Sequence, residues 1–97
     1  MPAEQDMNQV LMVDGNAVAG GLQQLFGRDM TIVGTRCAGC ARSAEIGALM
    51  AFVRGPGAVL RCPACQTAIV RIVETPAAQY VDVRGAAYLR FRRSPSR

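Results

Sequence analysis

The sequence predicts an α+β fold, a small antiparallel β-sheet built from two Cys-x2-Cys turns and their hairpins, with one N-terminal helix packed on it. Three observations predict it. The four cysteines fall in two pairs, Cys37-Ala38-Gly39-Cys40 and Cys62-Pro63-Ala64-Cys65, with 21 residues between them. Short β-branched stretches lead into and out of both pairs and are separated by Gly/Pro turns. Ahead of the first pair lies one amphipathic segment with its own start and stop signals, Asp14 to Gly27.

The cysteines carry the chemistry. Zinc takes four thiolates at tetrahedral corners, about 2.3 Å away. Two residues between paired cysteines let a tight turn aim both sulfurs at one ion, and backbone N–H groups of the turn can donate to the thiolates. Pro63 fixes φ just after the first ligand of its pair, and Gly39 is permissive just before Cys40. The spacing lies near the general two-pair zinc pattern. The chain contains no histidine and no fifth cysteine. Cys37, Cys40, Cys62 and Cys65 are therefore expected to hold one structural Zn2+. A catalytic zinc keeps an open position for water, and four cysteines leave none. Asp14, Glu45, Glu74 and Asp82 are scattered, with no paired acid and base. The expectation is a protein with no catalysis of its own.

Other uses of four cysteines stay open at this stage. Disulfides need an oxidising compartment, and the N-terminus lacks the basic and apolar regions of a secretory signal; a cytoplasmic location is expected. A redox Cys-x2-Cys needs a βαβ context, which neither pair has. An iron site of rubredoxin type uses the same paired turns, and ligand geometry alone does not separate iron from zinc.

With 97 residues the chain is expected to be one domain, and its 51% apolar content is that of a chain with a core. At this size a metal staple offsets a modest burial of surface. No run of about 18 apolar residues exists to span a membrane. Eleven basic residues, all arginine, face seven acidic ones, for a formal charge of +4. A zinc–tetrathiolate centre is itself a dianion, so the metallated chain sits at about +2. Arg90, Arg92, Arg93 and Arg97 crowd the C-terminal end.

Taken in order, residues 1–9 read as a disordered tail and residues 10–91 as the single domain. Val10 to Val13 is a short apolar run. Asp14 is a good helix N-cap, Val13 and Val18 occupy staple positions, and Val18, Leu22, Leu25 and Phe26 share one face of a helix over about 14–27. Gly20 and Gly21 weaken that helix by roughly 1 kcal/mol each, and suggest a close approach of two backbones. Met30 to Arg36 reads as a strand entering the first cysteine pair, and Glu45 to Arg54 as the strand leaving it. The second of these also fits helical spacing through Ile46, Leu49, Met50 and Val53. The turn Arg54-Gly55-Pro56-Gly57 favours a hairpin arm. Ala58 to Arg61 enters the second pair and Ala68 to Glu74 leaves it; Thr75 to Ala78 is a turn, and Gln79 to Arg84 is an alternating strand. Ala86 to Phe91 fits a last strand or a helical turn, and residues 92–97 read as a disordered basic tail.

Strand, Cys-x2-Cys turn, hairpin, Cys-Pro-x-Cys turn, strand resembles a zinc ribbon. The wider set Asp14-Gly15-Asn16-Ala17, Leu25-Phe26-Gly27, Cys37-Ala38-Gly39-Cys40, Leu60-Arg61-Cys62-Pro63-Ala64-Cys65 and Asp82-Val83-Arg84-Gly85 resembles a family of short zinc-ribbon proteins of high-GC bacteria whose function is uncharacterised. The resemblance spans roughly residues 10–91 and implies a metal but no activity. Ala41 and Gln66 stand where ribbon turns often carry glycine, at positions that often need a positive φ. The first functional expectation is a module that contacts another protein, or a second copy of itself, through an exposed sheet face or edge. The alternative is nucleic-acid binding through Tyr80, Arg84, Tyr88, Arg90 and Arg92, with Tyr88, Arg90 and Arg92 on one face if that stretch is extended. An iron electron carrier is the third.

Overall fold

The computed structural model of the chain describes residues 11–54 and 57–93. It is α+β, with two antiparallel sheets and one short helix. The larger sheet has the order β1-β4-β5-β6-β7, from Leu11–Asp14, Met50–Arg54, Gly57–Arg61, Ala68–Glu74 and Gln79–Asp82. The smaller has the order β3-β2-β8, from Ser43–Glu45, Gly34–Cys37 and Ala86–Arg90. The sequence reading placed all strands in one sheet; the structure divides them, with each cysteine pair at the tip of a hairpin in a different sheet. The one helix, α1, runs Ala19–Phe26. Among the described residues no helix is long and apolar enough to cross a membrane.

The N-terminal signals act as their chemistry requires. Asp14 is extended, and its carboxylate accepts from the Ala17 N–H at 3.2 Å. The first turn it caps is 3-10, over Gly15–Val18, and leads directly into α1. Gly27 ends α1 in the left-handed conformation, φ 76°, where its N–H donates to the Gln23 carbonyl. Leu22 drives the helix into the core at 2% exposure. Gly20 and Gly21 do not mediate a close backbone approach, since a Cβ on either would meet nothing within 4 Å. Only their cost to the helix remains. Gly20→Ala and Gly21→Ala should each stabilise the protein by about 0.5–1 kcal/mol, read as a rise in the thermal midpoint.

Three expected strands are shorter than their composition suggests; the simplest case is Gln79 to Arg84, which ends at Asp82, whose carboxylate accepts from the Arg84 N–H at 2.9 Å. Met30 to Arg36 becomes a strand only from Gly34. The Asp29 carboxylate accepts from the Thr31 N–H at 3.0 Å and its hydroxyl at 2.6 Å, a local turn that competes with the ladder. These bonds also hold the Asp29 carboxyl below its usual pKa. Glu45 to Arg54 is broken by a second 3-10 turn, Ile46–Ala48. The Ile46 and Gly47 N–H groups donate to the Val33 and Thr31 carbonyls, and the Gly15 N–H donates to the Leu49 carbonyl. The helical spacing of Ile46 and Leu49 is thus used in a single turn that buries both, and Met50 begins β4. Across β4 and β5 the register closes at Arg54↔Gly57. Residues 55 and 56, in the expected turn, lie outside the described residues, as do the proposed tail 1–9 and residues 94–97 of the proposed tail 92–97. The turn after β6 is present, with the Thr75 N–H donating to the Ala78 carbonyl. Ala86 to Phe91 resolves as a strand, β8, that ends at Arg90.

The core is one cluster. Ala51, Leu60, Val70 and Ile72 form the inner face of the larger sheet; Leu22 comes from α1, Met30 and Val33 from the segment before β2, and Ile46 and Leu49 from the second 3-10 turn. Cys37 and Cys62 belong to it at 1% exposure each. A bulge opposite Leu60 and Arg61 leaves Ile69 without a cross-strand partner, and Ile69 is buried too. Thr35, the buried polar side chain of the small sheet, donates its hydroxyl to the Ala44 carbonyl at 2.8 Å.

Candidate metal centre

Each cysteine pair closes a hairpin. Cys37 ends β2 and the chain returns as β3; Cys62 follows β5 and the chain returns as β6. The two turns have the same hydrogen bonds. The Cys37 and Cys62 N–H groups donate to the Arg42 and Thr67 carbonyls, five residues on, and the Ala41 and Gln66 N–H groups donate back to the Cys37 and Cys62 carbonyls. The residue after each second cysteine is then forced into the left-handed region, at φ 67° for Ala41 and 70° for Gln66. These are the two positions where the sequence lacks the customary glycine. An L-residue pays about 1–2 kcal/mol in that conformation, partly offset by the backbone entropy of glycine. Ala41→Gly and Gln66→Gly should therefore each raise stability by about 0.5–1 kcal/mol, measured by denaturant unfolding of the metal-loaded protein.

The tips meet. The four Sγ atoms lie within 4.8 Å of one another. Cys37 Sγ is 3.5 Å from Cys65 Sγ, and Cys40 Sγ is 3.7 Å from Cys62 Sγ. A disulfide requires about 2.05 Å, so all four are free thiols. A tetrahedron of sulfurs at about 2.3 Å from a central ion has edges of about 3.8 Å. The two cross-pair distances fit that figure. One sulfur of each pair faces the core, from Cys37 and Cys62, and one faces outward, from Cys40 and Cys65.

The surroundings favour negative charge on the sulfurs. The Gly39 N–H donates to Cys37 Sγ at 3.3 Å and the Ala64 N–H to Cys62 Sγ at 3.4 Å. The Thr67 hydroxyl lies 3.1 Å from Cys65 Sγ. Burial pushes the Cys37 thiol up, but the Cys40 and Gly39 N–H groups, with the Cys65 and Cys40 thiols, outweigh it and bring its pKa down to about 6. The Thr67 hydroxyl and N–H likewise lower that of Cys65. Cys40 goes the other way. The Arg42 N–H favours its thiolate, yet burial and the sulfurs of Cys62, Cys65 and Cys37 drive it up to about 11. Four sulfurs this close cannot all ionise without a cation between them, and a divalent metal supplies it. The donor set fits a thiophilic ion such as zinc.

The profile of DUF6510, described as a family of unknown function, matches residues 5–94. The chain belongs to that family. No curated protein and no solved structure matches it. DUF6510 membership covers both cysteine pairs, α1 and every strand described above.

The five residues expected to contact nucleic acid do not form one surface. Tyr80 lies on β7, an edge of the larger sheet, and Arg84 follows that strand. Arg84 is paired with Asp82, Nη2 to Oδ2 at 2.6 Å, which holds the Asp82 carboxyl down at about 2. Tyr88 and Arg90 lie on β8 of the small sheet, and Arg92 is beyond the end of that strand. Sequence reasoning missed Arg36, which the register sets directly across from Tyr88. Its signal was weak, one residue before a ligand cysteine on a strand whose partner was not predictable.

Proposed function

We propose that this DUF6510 protein is a zinc ribbon of the kind its motif resembles in high-GC bacteria: a metal-stapled module that acts by contact and performs no reaction. The carrying observation is the meeting of four thiols from two sheets, all within 4.8 Å of one another and with the two cross-pair distances of 3.5 and 3.7 Å close to a tetrahedral edge. A metal with four cysteine ligands has no vacant corner for substrate, and its work is to tie the two hairpin tips together. Elemental analysis separates zinc from iron, and a colourless protein with one zinc per chain excludes the rubredoxin-like reading.

Support for a protein partner comes from the outer face of the larger sheet, opposite the face that packs in the core. The register places Phe52, Val59, Arg71 and Asp82 in one row across it and Val73 beside Tyr80 in the next. Val73 and Tyr80 are 44% and 59% exposed, and the Arg61 guanidinium lies 5.8 Å from the Phe52 ring centroid. An aromatic and aliphatic patch with arginine beside it has the composition of a protein-contact surface. Affinity capture with the wild type and with a Val73→Glu, Tyr80→Glu double variant, alongside light scattering, tests this. A partner protein, or a dimer, that the double variant loses supports the reading. A monomer whose captured set is identical for both proteins contradicts it.

A further inference from the structure

The outer face of the small sheet has a different composition. Directly opposed residues of an antiparallel pair share a face. The register sets Arg36 across from both Ser43 and Tyr88, and Gly34 across from both Glu45 and Arg90. These residues therefore stand together, on the side away from buried Thr35 and its neighbours Ala44 and Leu89. Tyr88 is 47% exposed, and Arg36 and Arg90 are exposed. Gly34 has no side chain to fill the middle of the face. The Arg90 guanidinium lies across it, with Nε 3.1 Å from where a Cβ of Gly34 would be. The result is an open notch of about 220 Å³ walled by Tyr88, Arg90, Ser43 and Glu45.

We propose that this face binds single-stranded nucleic acid, with a base stacked on Tyr88 and the backbone phosphates held by Arg36 and Arg90. Exposed aromatic rings on a sheet, flanked by arginine forks, are what sequence-tolerant stacking requires. The charge distribution agrees. Residues 28–45 and 86–93, which build and flank the small sheet, contain Arg28, Arg36, Arg42, Arg90, Arg92 and Arg93 against Asp29 and Glu45, an excess of arginine that outweighs the two negative charges of a metal-loaded tetrathiolate at the sheet's tip. The ion pair among the described residues is Arg84–Asp82, and neither Arg36 nor Arg90 takes part in it. Glu45 sits across Gly34 from Arg90 and repels phosphate, so the strand runs past Arg36 and Arg90 with its bases toward the notch. An acidic peptide would use the arginines but leave the tyrosine ring without a role, which favours the nucleic acid. The site does not depend on the protein-contact surface of the larger sheet.

The test uses the metal-loaded full chain and fluorescein-labelled oligo-U and oligo-dT of about 12 nucleotides, followed by fluorescence anisotropy at about 50 and 200 mM salt. Binding to either oligonucleotide, weaker at the higher salt, is expected. Tyr88→Ala should weaken it about tenfold, and Tyr88→Phe, which keeps the ring, should restore it. Arg36→Gln and Arg90→Gln should each weaken binding and each reduce the salt slope by about one, whereas Arg84→Gln should leave it unchanged. No binding at the lower salt overturns the proposal. So does binding that Tyr88→Ala and Arg36→Gln leave intact, or equal binding of poly-glutamate. Circular dichroism of each variant separates lost contact from lost fold, and Tyr88→Phe with Arg36→Gln decides the matter if Tyr88→Ala does not fold. Loss of capture in the Val73→Glu, Tyr80→Glu variant bears on the other surface only, so the two readings fail separately.

Discussion

Cys62→Ser is expected to abolish the cooperative unfolding transition. Cys62 is 1% exposed, part of the core cluster, and one of the four cysteines placed to hold a metal between the tip of the larger sheet and that of the smaller. Structural zinc contributes on the order of 10–16 kcal/mol to small metal domains, and a domain of this size has roughly 5–15 kcal/mol in total. Loss of one ligand removes more than the fold has to spare. The metal-free wild type should then look the same as the variant, because the two defects are one. Far-ultraviolet circular dichroism and thermal scans of the variant, with and without added zinc, and of the wild type with a strong chelator, check this. Protons compete with metal for the same sulfurs, so acidification should release the metal and the fold together. The sign follows from Cys37. Its folded pKa is lowered from about 9 to about 6, so the stability tied to its thiolate is full above about pH 9, declines as pH falls below that, and is gone once pH has passed through about 6. A chelated wild type that still melts cooperatively near the metal-loaded midpoint would show that the hydrophobic core alone suffices.

Gly85→Ala should be the most damaging substitution outside the cysteines. Gly85 lies between β7 and β8, where the chain crosses from the larger sheet to the smaller. Its carbonyl accepts from the Ala38 N–H at 2.8 Å, inside the first cysteine turn. A Cβ at this position would overlap the Ala68 carbonyl oxygen and lie 2.9 Å from the Ile69 Cα. Both are backbone of β6, so neither can rotate away, and relief requires the β7–β8 connection to lift off the sheet. That would pull on the first cysteine turn as well. The expected cost is about 3 kcal/mol or more, a drop of roughly 12 °C or more in the thermal midpoint for a domain of this length. Metal affinity should fall in parallel, measured by competition with a chromophoric chelator. A loss below about 0.5 kcal/mol would mean that the crossing is loose. Gly15, whose Cβ would overlap the Ile46 carbonyl oxygen, makes the same kind of contact between the two 3-10 turns.

The local chemistry was legible in the sequence, and the long-range assembly was not. Asp14 as a cap, Gly27 as a stop, the paired cysteines as turn tips and the need for positive φ at residues 41 and 66 all depend on neighbours a few residues away. The structure has each of them. Division into two sheets depends on which distant strands pair, and composition says little about that. Leu11–Asp14 has too few residues to declare itself a strand, yet it pairs along its whole length with β4. β8 has five residues that fit a strand or a helical turn equally, and only its pairing with β2 adds it as the third strand of the small sheet. The apparent strand from Glu45 fails at Ile46 because two carbonyls, of Val33 and Thr31, take its N–H groups out of the ladder. At the site the four candidate ligands were readable because they are the only cysteines. The nucleic-acid set was only half coherent, because Tyr80 and Arg84 end on a different sheet from Tyr88 and Arg90.

One metal joining two sheets through four sulfurs is the claim on which stability and function both rest. Elemental analysis combined with X-ray absorption at the metal edge, on protein purified without added metal, tests it most directly. One zinc per chain with four sulfur neighbours at about 2.3 Å is the predicted result. A mixed sulfur and oxygen or nitrogen shell, or metal-free protein with all four cysteines oxidised, would contradict it.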